Sequence, residues 1–173
     1  MYVVFEGVDG TGKSTQIEKV QKKLVEQLKQ RKCKQKVKTI CEPELQTTVN
    51  PLDDVEVALR FALQRRLLLN KFNKDLHGNT IVLSDRSFYS SLAYQGCDKL
   101  WLRSLNSFVP EPDLVFFFDK GIPLDEELKG VYDNYFKVLP FNTVHVDTGS
   151  HPVKSTTRFI VKNILLKSRV VNL

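Results

Sequence analysis

Nothing in the chain approaches the roughly 20 consecutive apolar residues that a membrane-spanning helix requires. The densest apolar run, Leu114-Val115-Phe116-Phe117-Phe118, has the length of a buried strand. Met1 leads straight into a strand-like segment with no basic stretch before it, so neither export nor membrane insertion is expected. Cysteine is scarce: Cys33, Cys41 and Cys97 are odd in number and match no metal-ligand spacing. That excludes a disulfide framework or a zinc ribbon and predicts reduced thiols in a cytoplasmic or nuclear compartment, small residues with no special role. Glycine and proline, 8 and 7 residues, are too few for a collagen-like or low-complexity chain. No internal repeat or linker interrupts the sequence, so residues 1–173 are expected to form one domain.

What the chain does have is 42 % hydrophobic residues, enough for a packed core, and 26 basic against 20 acidic side chains, a formal charge of +6. A basic balance fits a nucleic-acid partner, a phosphate-rich small substrate, or solubility alone. The densest charge block, Lys29 to Lys38, falls where the first helix should end. Cations there complement the helix dipole, so the block reads as a solvated helix terminus rather than a nucleic-acid patch.

Short apolar runs alternate with helix-period segments, the pattern of an α/β protein with a parallel sheet covered on both faces. Strands are expected at Tyr2 to Glu6, Lys36 to Cys41, Thr80 to Ser84, Leu114 to Asp119 and Thr143 to Val146, with continuous rather than alternating hydrophobicity. Lys13 to Arg31 repeats apolar residues at Ile17, Val20, Leu24 and Leu28, an amphipathic helix. Asp53 to Leu76 does the same, opening on two aspartates suited to the positive end of a helix. Further helices are expected over Tyr89 to Tyr94, Lys99 to Phe108, Leu124 to Leu139 and, after Pro152, Val153 to Lys167.

Between the first strand and the first helix stands Gly7-Val8-Asp9-Gly10-Thr11-Gly12-Lys13-Ser14, a G-x-x-x-x-G-K-[ST] loop in its required context. The glycines let backbone N–H groups approach phosphate oxygens, and the helix starting at Lys13 adds its dipole. Lys13 should reach the β- and γ-phosphates, and the Ser14 hydroxyl should ligate the Mg²⁺ that bridges them. The Asn-Lys-x-Asp tetrapeptide expected of a GTPase is absent, and 173 residues leave little room for a helicase or motor. A small-molecule kinase remains. It needs an acceptor site near the loop, and Ile81-Val82-Leu83-Ser84-Asp85-Arg86 supplies one. A buried strand there delivers a carboxylate for a hydrated metal and a guanidinium for phosphate at the carboxyl edge of the sheet.

At this point the residues resemble the thymidylate kinase family, nucleoside monophosphate kinases that phosphorylate dTMP with ATP. Phe5-Glu6-Gly7-Val8-Asp9-Gly10-Thr11-Gly12-Lys13-Ser14-Thr15 looks like the family's F-E-G-x-D-G-x-G-K-S-T loop. Ser84-Asp85-Arg86 followed by Ser90-Ser91-Leu92-Ala93-Tyr94-Gln95-Gly96 is similar to its second block. The resemblance implies a three-layer α/β/α P-loop NTPase fold with a five-stranded parallel sheet, ATP held by Gly7 to Thr15, and Mg²⁺ held at Ser14 and Asp85. It implies that Lys13, Asp85 and Arg86 carry catalysis, that Asp9 faces the acceptor, and that Arg86 grips its phosphate. Phe61 would stack on thymine, with Arg65 bonding the base one helical turn later, although a one-residue register change would put Arg66 in its place. Tyr94 would pack on the deoxyribose, while Ser90, Ser91 and Gln95 would surround the acceptor. A homodimer is also implied, with no nucleic-acid partner.

Two departures stand out. The family's T-R-E-P-G reads Ile40-Cys41-Glu42-Pro43-Glu44, so its arginine aligns with Cys41, and the lid near 120–131 looks shortened and contains no arginine. Lys120 or Lys129 could supply a point charge instead. The expected activity is therefore ATP + dTMP → ADP + dTDP. The alternatives are a kinase for dUMP, dCMP or a deoxynucleoside, a nucleotide-binding module with weak or lost catalysis, and, less favoured, a nucleic-acid-dependent ATPase.

Overall fold

A computed structural model describes residues 1–42, 53–121 and 125–168. Its elements alternate in chain order: β1 (Tyr2–Glu6), α1 (Lys13–Gln30), β2 (Lys36–Cys41), α2 (Asp54–Leu76), β3 (Thr80–Asp85), α3 (Phe88–Tyr94), α4 (Lys99–Leu105), β4 (Leu114–Asp119), α5 (Glu126–Val138), β5 (Val144–Asp147) and α6 (Val153–Lys167). The strands form one five-stranded sheet in the order β2-β3-β1-β4-β5, every pair parallel. Pleat alternation splits the core. Val3 and Phe5 of β1 face α1 and α6, meeting Ile17, Val20, Leu24, Ile160 and Ile164. Tyr2 and Val4 face the other way, toward Ala58, Leu69, Phe88 and Leu92. This is the three-layer α/β/α arrangement.

The expected elements form at or within three residues of their expected bounds, and three of the boundaries have a visible local cause. Helix α4 stops at Leu105 rather than Phe108 because the Asn106 amide turns back to donate to the Leu102 carbonyl at 2.8 Å. Helix α5 starts at Glu126, where the Asp125 carboxylate accepts from the Leu128 N–H at 2.8 Å. The earlier expected start, Leu124, lies outside the described residues. Asp53 caps α2 by accepting from the N–H groups of Val55 and Glu56. Burial on both faces holds for β1, β3 and β4 but fails for β2, where only Ile40 is buried, and for β5, where only Val146 is. Both are edge strands, open to water on one side. Within the charge block, Lys38 pairs with Asp75 at 2.8 Å, across from the end of α2.

Strand β1 lies between β3 and β4, so its carboxyl end and that of β3 open side by side. In open α/β sheets this is where ligands bind.

Candidate active site

Two backbone features shape the loop after β1. At Gly7, with φ +138°, an added Cβ would stand 2.5 Å from the Phe118 carbonyl oxygen, so the chain leaves the sheet only by hugging β4. Gly12 takes a left-handed φ of +89° as the residue before α1, turning the loop back over the helix N-terminus. Thr11, buried, donates its hydroxyl to the Val8 carbonyl at 2.8 Å. The Thr148 hydroxyl, from the turn after β5, donates to the Thr11 carbonyl at 2.7 Å and pins the loop to the far end of the sheet.

Within this loop Lys13 is only 5 % exposed and donates to the Gly7 and Val8 carbonyls, each at 2.8 Å. Its ammonium lies 3.8 Å from the Asp9 carboxylate. Burial, and then the nearby Arg86 guanidinium, bring its pKa down to about 8, against the opposing pull of Asp9, Asp85 and Glu6. The Ser14 hydroxyl donates to Asp85 Oδ2 at 2.7 Å, so the two residues expected at the metal adjoin. A hydroxyl and a carboxylate are the hard oxygen donors that Mg²⁺ takes, and it draws its other ligands from phosphates and water. Among the described residues no group of three or more His, Cys, Asp or Glu side chains could hold a metal alone. Ser14 and Asp85 supply two such oxygen donors side by side.

Arg86 follows Asp85 with φ +70°, a backbone conformation uncommon for a side-chain-bearing residue. Its N–H donates to the Phe5 carbonyl at 3.0 Å, which fixes the bend. The guanidinium bonds Asp9 through Nη2 and the hydroxyls of Ser90 and Tyr135 through Nη1, at 3.1 and 3.3 Å, and lies 5.2 Å from the centre of the Tyr94 ring. Its pKa is raised: the Tyr135, Tyr94, Glu6 and Asp9 groups outweigh the downward effect of burial. Asp9, Lys13, Ser14, Cys41, Asp85 and Arg86 line one open cleft of about 390 Å³.

The remaining expected residues sit behind this cleft, on α2 and α3. Arg65 is 2 % exposed and its donors go to both Glu42 oxygens, Asn106 Oδ1 and the Ser91 hydroxyl. Arg66 is exposed and its guanidinium lies 5.2 Å from the centre of the Phe108 ring, so the inward register belongs to Arg65. Phe61 is half-buried one turn before Arg65. Tyr94 is 39 % exposed and meets Tyr135 edge to face. Gln95 is 5 % exposed, and its Oε1 has no hydrogen-bond partner among the described residues.

Sequence reasoning missed Glu6, Glu42, Tyr135 and Thr148. Glu6, wholly buried at the end of β1, accepts from Ser87, Ser90 and Tyr135. Burial raises its pKa against the lowering effect of the two serine bonds and of Arg86. Its presence in the F-E-G motif was the one available signal. Cys41, where the family's arginine aligns, is exposed at the cleft edge, and the adjoining Pro43 and Glu44 lie outside the described residues. Part of the expected lid, 122–124, also lies outside them.

A family profile described as thymidylate kinase matches residues 5–135. The chain belongs to the thymidylate kinase family. A probable thymidylate kinase of Methanobrevibacter smithii is 38 % identical over 135 residues, a stretch covering 70 % of this chain and 65 % of that relative. Another, of Methanosphaera stadtmanae, is 31 % identical over 96 % of this chain and 98 % of its own length. A crystal structure of thymidylate kinase from Ehrlichia chaffeensis superposes with a TM-score of 0.79 at 26 % identity, covering 95 % of this chain and 97 % of that one. The fold is accordingly the P-loop NTPase fold of this family, and the matched stretch contains the phosphate loop, the Asp85-Arg86 block and Tyr135. Among the described residues no helix is long and apolar enough to cross a membrane.

Proposed function

We propose that the chain transfers the γ-phosphoryl group of ATP to dTMP, giving ADP and dTDP, as one cytoplasmic kinase domain whose lid is shortened near 120–131. The observation that carries this reading is that Lys13 and Arg86 converge on Asp9, with Lys13 at 3.8 Å and Arg86 hydrogen-bonded to it. A cation on the donor loop and a cation at the end of the neighbouring strand thus share one carboxylate. Two cations gathered round one carboxylate suit a site that brings two phosphates together, which fits the family's chemistry better than a binding module or an ATPase.

In this reading backbone N–H groups from Gly7 to Thr15 cradle the donor phosphates, and Lys13 neutralises the β- and γ-oxygens. Ser14 and Asp85 would hold Mg²⁺, which would lower the charge repulsion between the phosphates. Arg86 grips the dTMP phosphate in a two-pronged contact, with Asp9 setting the guanidinium's angle. An oxygen of that phosphate attacks the γ-phosphorus; the new P–O bond forms as the β–γ bridging bond breaks, and its electrons leave with ADP. That oxygen is already ionised at neutral pH, so alignment and charge neutralisation replace a general base. Phe61, Arg65, Ser91 and Gln95 would shape the base pocket, while Ser90 and Tyr94 would flank the sugar and phosphate. Lys120 or Lys129 would stand in for a lid arginine.

ADP release measured over a panel of nucleoside monophosphates at fixed Mg²⁺ and ATP tests the reading. dTMP should be preferred, and Lys13→Ala should nearly abolish turnover while leaving the fold intact. Preference for dUMP or dCMP, or for a deoxynucleoside assayed beside the panel, or most of the turnover surviving in Lys13→Ala, would overturn it.

The same reading includes a homodimer. On α2, Val55, Leu59, Leu63 and Leu67 stand at steps of four residues and are 49, 48, 62 and 54 % exposed, an apolar stripe suited to a second copy. Sedimentation should find a dimer that Leu63→Glu converts to monomer; a monomeric parent chain would refute the pairing.

A further inference from the structure

The anion-gripping arginine is set by a buried group from a distant helix. Glu6 and Tyr135 are both 0 % exposed, and a carboxylate and a phenol so placed must have partners. Glu6 finds them in Ser87, Ser90 and Tyr135, and Tyr135 in Glu6 and Arg86. The Tyr135 hydroxyl lies 3.1 Å from Glu6 Oε2, 3.0 Å from the Ser90 hydroxyl and 3.3 Å from Arg86 Nη1. Ser90 repeats the bridge, donating to Glu6 at 2.7 Å and accepting from Arg86 Nη1 at 3.1 Å. Glu6 accepts from both hydroxyls, so each turns its proton to Glu6 and its lone pair to the guanidinium. Two hydroxyls therefore link a buried negative charge to Arg86 without a direct ion pair. They fix Nη1 and leave Nη2 turned toward Asp9 and the cleft.

Packing alone does not account for this hydroxyl. The Tyr135 ring is already held by Phe117 at 5.2 Å and by Tyr94 at 6.1 Å, contacts that a phenylalanine would keep. The hydroxyl adds only its donation to Glu6 and its acceptance from Arg86, beside the Ser90 hydroxyl at 3.0 Å.

We propose that Tyr135 is a positioning residue for the acceptor phosphate: its hydroxyl, anchored on Glu6, sets the angle at which Arg86 meets that phosphate. This rests on the assignment of dTMP as acceptor. Tyr135 lies on α5, the helix that opens just after the shortened lid segment, so the seat of α5 on α3 determines the orientation of the arginine.

Tyr135→Phe is the test, since it deletes one oxygen and preserves the ring packing. KM for dTMP should rise about tenfold, the scale of one hydrogen bond to a charged group, while KM for ATP stays within about twofold. In an Arg86→Gln background the same substitution should leave dTMP affinity, read by calorimetry, unchanged, because no guanidinium remains to be oriented. Equal changes in the two KM values, or an equal loss of dTMP affinity in both backgrounds, would assign Tyr135 a merely structural role. A parent chain that does not turn over dTMP would remove the function itself, and the positioning role with it. Turnover of dTMP by the parent with additive effects removes only the positioning role.

Discussion

Arg65 and Arg86 are both cations taken largely out of water beside the same cleft, and they are held in opposite ways. Arg65, on α2, is neutralised by Glu42, whose side chain is only 8 % exposed, and its other donors are taken by Asn106 and Ser91. Among the described residues the one carboxylate paired with Arg86 is Asp9, whose side chain is 83 % exposed and whose charge water screens. Glu6 makes no direct bond to Arg86 and is linked to it by the hydroxyls of Ser90 and Tyr135. Arg65 is thus a closed ion pair that shapes the floor of the site. Arg86 is paired only with a solvent-exposed carboxylate, so an incoming phosphate can compete for its guanidinium. A cation's role follows from what neutralises it, rather than from its burial alone.

Replacing each arginine by methionine, which keeps the length and removes the donors, should separate the two. Arg86→Met should lower kcat/KM for dTMP by about 10³ or more, the scale of losing an arginine from a phosphoryl-transfer site, with little change in denaturation midpoint. Arg65→Met should act mainly on stability. It strands Glu42 in a buried position, and breaking such a pair costs about 3–5 kcal/mol, read by chemical denaturation. Adding Glu42→Leu to Arg65→Met should recover most of that loss, because removing both charges together can be nearly neutral. The comparison fails if Arg86→Met unfolds the protein as readily as Arg65→Met does, or if Arg65→Met is silent in denaturation.

Much of this was legible in the sequence, for a physical reason. The phosphate loop and the Asp85-Arg86 block are contiguous motifs whose geometry is imposed by the strand before and the helix or turn after them. Ser14 and Asp85 could be named because each sits at the end of a regular element, and β1 and β3 being neighbours brings them to 2.7 Å. What was not legible arises between distant segments. Periodicity places Phe61 and Arg65 on one face, but not that Glu42 and Asn106, from a strand end and a helix cap, would fill the guanidinium's donors. The register between Arg65 and Arg66 depended on which face of α2 the sheet covers. Tyr135 reads as one more apolar position of an amphipathic helix; its hydroxyl acquires meaning only when α5 packs on α3 and closes over Glu6. Edge exposure of β2 and β5 likewise follows from strand order, which local hydrophobicity does not encode.

The smallest effect expected from the comparison lies in the titration of Lys13. Burial first, and then the positive charge of Arg86, bring Lys13 down to about 8, whereas an unfolded chain would keep its ordinary value of 10.5. As pH rises through about 8 the free protein loses this charge, so ATP affinity should fall. Lys13→Arg, which stays charged, should flatten that limb. Stability should respond in the opposite sense. Between about 8 and 10.5 the unfolded chain holds a proton that the native one lacks, so this residue's contribution to stability rises with pH across that window and is lost as pH falls through 8. The two arginines can be set apart once more here. Arg86→Met removes a cation that disfavours the charged lysine, so the fall in ATP affinity should move to higher pH. Arg65→Met should leave it in place, since Glu42 already cancels Arg65. Calorimetric ATP titrations between pH 7 and 10 would decide the matter. A limb that does not move in Arg86→Met, or moves equally in both variants, would mean that the charge of Arg86 is no more available to the cleft than that of Arg65.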